Sequence, residues 1–180
     1  MKALSALAEW DNFYVIVGSS AAGLTGLTFV VIALTADAQR TNPIGLRAFI
    51  TPTIVHFSSV LVLAAFLSVP HQIVLSLSLG LGAAGVAGLG YVVFIAAAMR
   101  RNASDYAPVL EDLVWHLLLP TLCYGALLTA SLIIWNRTQI SLCIIAAVSM
   151  LLLLIGVHNA WDIAVWVSVR RGKDKPQQPS

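Results

Sequence analysis

The sequence predicts an all-α fold, a polytopic membrane bundle of five transmembrane helices, and three observations carry that prediction. Of the 180 residues 59% are hydrophobic and only 10% charged, whereas soluble domains carry about a quarter charged residues. Uncharged stretches of bilayer length follow one another along the chain, and the basic residues gather on alternate connections between them. So much apolar surface cannot be hidden inside a body this small, so part of it has to face lipid.

The elements follow in order. The opening residues carry one cation, Lys2, and Glu9 and Asp11 arrive before any adequate apolar region, so no cleaved leader is expected. Span 1 covers about 13–36, between Asp11 and Asp37. From Ala48 to Met99 there is no Asp, Glu, Lys or Arg, which is long enough for two crossings. Pro70-His71-Gln72 is the reversal between them, giving spans at 48–69 and 72–99. Span 4 covers 112–135, the turn Asn136-Arg137-Thr138 follows, and span 5 covers 138–169. The polar, proline-containing tail 170–180 is expected to be disordered, and 1–169 forms one helical domain.

Lys and Arg are retained on the cytoplasmic side of short loops. Five spans place Arg40, Arg47, Arg100, Arg101, Arg170, Arg171, Lys173 and Lys175 on one side, and only Lys2 and Arg137 on the other. The expected topology in the cell membrane therefore has the N-terminus outside and the C-terminus cytoplasmic. Trp10, Tyr14 and Trp135 then mark the outer interface, and Trp115, Trp161 and Trp166 the inner one.

Two spans carry small residues four apart: Gly18, Ala22 and Gly26 in span 1, and Gly80, Ala84 and Gly88 in span 3. Lipid supplies no hydrophobic drive between helices, so close van der Waals contact has to hold them together, and small faces permit it. These faces are predicted packing surfaces, either within one protomer or in a homo-oligomer. Ser19, Ser20, Thr25, Thr28 and Thr35 of span 1 either line a polar path or bond carbonyls of their own helix.

The chemistry-bearing residues concentrate toward the cytoplasmic side. Asp112 and His116 are four apart in span 4, and His158 and Asp162 are four apart in span 5, so each pair shares a helical face. The spans are antiparallel, so each Asp is nearer the cytoplasm and each His roughly 6 Å deeper. His56 enters from span 2. Imidazole with carboxylate suits divalent metals, and histidine also titrates near neutral pH, so the set His56, Asp112, His116, His158 and Asp162 is a candidate cation or proton pathway. His116, His158, Asp112 and Asp162 are the candidate ligands for a divalent metal ion. The competing reading has interfacial Asp-His pairs that satisfy each other locally. Pro52 and Pro120 fall inside spans 2 and 4, and Pro120 cannot donate to the carbonyl of His116, so a kink is expected there.

Several classes have no residues to rest on. There is no Walker loop, dinucleotide glycine fingerprint, Cys-x-x-Cys pair or nucleophile elbow. Cys123 and Cys143 sit at different depths in different spans, so no disulfide is expected. The net charge of +2 is spread over loops and tail, and nucleic acid is not an expected partner. Three readings follow: a channel or transporter-like pathway for a cation or proton, a non-catalytic accessory subunit docking larger membrane partners, and a haem or metal-binding membrane protein using His116 and His158. Enzymatic activity is the less favoured expectation.

Overall fold

A computed structural model describes residues 7–34, 43–101 and 110–173, with side chains described except at 34, 43–50, 111–112 and 166–173. Helix α1 is Asp11–Leu34, α2 is Pro43–Leu67 and α3 is Val74–Arg101. Helix α4 begins at Leu110–Leu113, passes through a π-helical segment Val114–Leu118 and continues as Leu119–Ile133, and α5 is Thr138–Lys173. No strand occurs among the described residues. Among the described residues four helices are long and apolar enough to cross a membrane, and Thr51–Leu67 is the shorter apolar part of α2. The protein is a helical membrane bundle. Its helices start and stop within a few residues of the expected spans, except that α2 begins earlier and α5 runs on to Lys173. Residues 174–180 of the expected tail lie outside the described residues.

Both short connections lie at one end, here the turn end. Residues 68–73 join α2 to α3, and residues 134–137 join α4 to α5. The first reversal is locally secured: the Gln72 amide donates to the Phe66 carbonyl at 2.7 Å, and the Ser76 hydroxyl donates to the Gln72 amide oxygen. His71 takes the left-handed backbone, with φ of 58°. In the second, the Ser141 hydroxyl reaches back to the Ala130 carbonyl at 3.1 Å and ties α5 to α4.

Helix α1 packs on α2, α2 on α5, α5 on α4, and α4 on α3. Near the turn end the Phe66 ring of α2 sits against Gly80 of α3, which closes these last four helices into a ring. Helix α1 stays outside that ring, with only a minor contact to α5. Parts of both small-residue faces pack within the protomer, each against a different neighbour. A Cβ on Gly18 would lie 2.9 Å from Ala64 of α2, whereas a Cβ on Gly85 of α3 would lie 3.0 Å from the Leu128 amide nitrogen of α4. Ala84 packs at the edge of the core, and Gly88 faces the ring of Tyr124. Ala22 and Gly26 are exposed on α1.

The interior has two zones. Toward the turn end it is mainly aliphatic, built from Leu63, Leu67, Leu77, Leu81, Leu127, Ile134, Leu142 and Ile145, all 3% exposed or less. Trp10, Phe13 and Tyr14 stack edge-on at centroid distances of 5.7 and 5.2 Å where α1 enters this zone. Toward the opposite end, buried polar side chains join the apolar ones.

Of the expected polar groups on α1, the hydroxyls of Ser20, Thr25 and Thr28 each bond the carbonyl four residues back, at 2.8 Å. They satisfy their own helix, and Thr35 lies outside the described residues. Both cysteines are free.

Gly88 and Gly26 make a direct test of this packing. Gly88→Ala pushes a methyl into the Tyr124 ring and is expected to lower unfolding stability by about 1–3 kcal/mol. At Gly26 nothing lies within 4 Å of the new Cβ, so Gly26→Ala is expected to be neutral or to stabilise by up to about 1 kcal/mol through helix propensity. Thermal unfolding in detergent followed by far-ultraviolet circular dichroism checks both, and equal losses would refute the packing.

Candidate polar site in the bundle interior

The site is organised by Tyr124, in the middle of α4 and only 2% exposed. Its ring occupies the space left by the absent side chain of Gly88 on α3, which lets a bulky residue sit between two tightly packed helices. From there the hydroxyl crosses to α2, 3.3 Å from Nδ1 of His56 and 3.2 Å from Oγ of Ser59. Ser59 also donates to the Val55 carbonyl at 2.8 Å, so its proton is committed to its own helix and Tyr124 is the natural donor to it. His56 is 1% exposed and its ring meets Tyr91 of α3 edge-on, with centroids 6.5 Å apart. Three helices thus contribute to one polar layer: His56 and Ser59 from α2, Tyr91 from α3 and Tyr124 from α4.

A second layer lies nearer the end opposite the turns, and Pro120 shapes it. A proline has no N–H for the carbonyl four residues back, and its ring crowds that carbonyl. The chain answers with the π-helical segment Val114–Leu118, in which the Leu119 N–H bonds the carbonyl of Val114, five residues back. The widened turn carries Trp115 and His116. Trp115 stacks on His158 of α5, with centroids 3.8 Å apart and planes inclined by 20°. His116 is buried and lies within electrostatic reach of His56.

Helix α5 completes this layer with Asn159, which has no exposed surface. Gly156, one turn toward the turn end, is pressed against the Phe57 ring of α2. Because α2 and α5 run antiparallel, Asn159 falls at the level of buried Thr53, and the stacking of Trp115 on His158 puts His116 at that level too. Among the described residues neither Oδ1 nor Nδ2 of Asn159 has a hydrogen-bond partner, and the buried hydroxyl of Tyr91 in the first layer has none either.

The predicted residues therefore separate. His56 and His116 turn into the ring interior. His158 and Asp162 form the expected one-turn pair, Nε2 to Oδ2 at 3.4 Å, on a part-exposed face at the end opposite the turns. That pair takes the local arrangement, with His158 held by Asp162 and Trp115. The side chain of Asp112 lies outside the described residues. Among the described residues no three His, Cys, Asp or Glu side chains gather in a metal-holding group. Tyr91, Tyr124, Ser59 and Asn159 are members of the site that reasoning from titratable residues alone overlooks. The available signal was two tyrosines in mid-span, away from the interfaces where amphipathic rings ordinarily sit.

The chain matches no known family pattern, and no curated protein and no solved structure is significantly similar to it. The site itself is the ground for any functional argument.

The His56–Tyr124 contact predicts coupled losses. Tyr124→Phe keeps the ring that fills the space at Gly88 but strands His56, and is expected to cost about 0.5–2 kcal/mol of unfolding free energy. In a His56→Phe background the same change is expected to cost measurably less, because the partner it strands is gone. Strictly additive losses in detergent unfolding would show that the pair does not interact.

Proposed function

We propose that this membrane protein is a pathway for a proton or small cation, entered from the cytoplasmic end and centred on His56. In this reading the N-terminus is outside, the C-terminus is cytoplasmic, and the end opposite the turns faces the cytoplasm, as the distribution of Lys and Arg favours. The observation that carries it is a buried histidine inside a membrane bundle, bonded to a hydroxyl from another helix. Ionisable groups at that depth are costly to place and are functional candidates by default. His116, within electrostatic reach on the cytoplasmic side, gives the pathway a second protonatable stop. The aliphatic zone of Leu63, Leu67, Leu81 and Leu127 then acts as a closed gate toward the outside, since a dry constriction of this kind blocks ions until it opens. Asp162 and His158, part-exposed at the mouth, serve the vestibule and not the core of the path.

Purified protein in liposomes under a pH gradient and valinomycin-clamped potential tests the proposal. Wild-type vesicles are expected to pass protons or small cations above the protein-free background. His56→Phe is expected to reduce that flux at least about tenfold, the scale on which loss of one positioned proton-transfer group is felt. Flux that His56→Phe and His116→Phe both leave intact rules out this assignment of residues.

A second reading rests on α1, whose Ser19, Ala22, Gly23 and Gly26 form an exposed small-residue face with open space around Gly23 and Gly26. Such a face suits close approach of another transmembrane helix, from a second copy or from a larger membrane partner for which this chain is an accessory subunit. Stoichiometric co-purification of a partner from native membrane, lost on Gly23→Leu, would favour it.

A further inference from the structure

We infer that Asn159 and Tyr91 bind water, one in each polar layer, and that the species this water carries is the proton and not a metal cation. The inference about cargo rests on the pathway reading above, while the binding of water does not.

Asn159 has no exposed surface, and its amide presents one acceptor oxygen and two donor hydrogens, none of them bonded among the described residues. The Tyr91 hydroxyl is a further buried group without a partner among them. Buried polar atoms without partners are costly, so a native bundle that buries the Asn159 amide on α5 and the Tyr91 hydroxyl beside His56 has to satisfy them with something. What they can bind is set by their chemistry. All three atoms are uncharged, and together they both give and accept hydrogen bonds, which complements water or another small neutral hydroxylic molecule.

A desolvated metal cation is poorly matched to the same place. The described carboxylates, Glu9, Asp11 and Asp162, all lie at the bundle ends, and no three His, Cys, Asp or Glu side chains converge among the described residues. Among the described residues a bare divalent ion entering this interior finds neither a neutralising charge nor a ligand set. A proton needs neither. It can pass from hydrated Asn159, level with His116, to an imidazole nitrogen of His56, leaving neutral water behind, and the Tyr124 hydroxyl holds that ring in place.

Two measurements test this separately. Water-edited solid-state NMR of the full chain in lipid is expected to transfer magnetisation from water to the Asn159 side-chain amide within the time seen for Gln139, which is exposed at the turn end. Proton flux in liposomes is expected to fall about tenfold in Asn159→Leu and in Tyr91→Phe. The second variant removes one unbonded oxygen and is expected to leave the unfolding temperature unchanged or raised, so lost flux there cannot be misfolding. Absence of transfer to Asn159, or wild-type flux with Tyr91→Phe, overturns the water site even if the pathway reading survives. Transfer to Asn159 in a protein that passes no protons supports the site and removes the pathway. Potassium or manganese flux matching that of protons overturns the choice of cargo.

Discussion

Inside a bilayer a polar side chain has no water to turn to, and each one buried in the bundle must find its partner in the protein or on a bound molecule. The Tyr124 hydroxyl is where this constraint acts most strongly, because one oxygen serves both His56 and Ser59 across the gap between α4 and α2. Much of the local architecture follows from seating it. Helix α3 must be bare at Gly88 for the ring to fit, and Gly85 one turn earlier brings the α3 and α4 backbones together to support it. The small-residue face of α3, which in isolation reads only as a packing device, is thereby also what lets an aromatic residue cross the interior and reach a histidine.

The contrast between the two ends of the ring is equally physical. Close to the turns, short connections hold α2 against α3 and α4 against α5, and leucine and isoleucine fill most of the interior. Farther from the turns the helices are less constrained by their connections, and large polar side chains occupy the space between them. Helix α5 spans both regimes: Ser141 ties it to α4 near one end, and Asn159 and His158 bring amide and imidazole to the other.

How much of this was legible in the sequence depends on the kind of signal. Hydropathy and charge placement showed five helices, the reversal at Pro70-His71-Gln72 and the turn before Thr138, because bilayer thickness imposes a length that a local window can read. The one-turn pairing of His158 with Asp162 was also readable, since both residues belong to one helix. The site was not, beyond His56 and His116, because its defining contacts join residues 65 and 68 positions apart. Nothing local distinguishes a mid-span tyrosine that bonds a histidine from one that merely packs. The small-residue faces were readable as surfaces but not as pairings: α1 meets α2 and α3 meets α4, and only the tertiary arrangement makes that choice.

Pro120 links the readable and unreadable parts. Its local consequence, a disturbed turn around His116, follows from proline chemistry alone. The resolution of that disturbance does not, since a bend and a π-helical segment both relieve the clash. The segment Val114–Leu118 inserts an extra residue into the turn, and this changes the direction of every side chain on its N-terminal side relative to the rest of α4. With the register shifted, Trp115 lies over His158 while His116 is turned inward. A regular helix through the same residues would rotate that pair by roughly 100° per residue displaced, trading the buried position for one near the helix edge. Substituting the proline therefore bears on the placement of a buried histidine as much as on helix stability, which is why π-segments so often accompany functional positions.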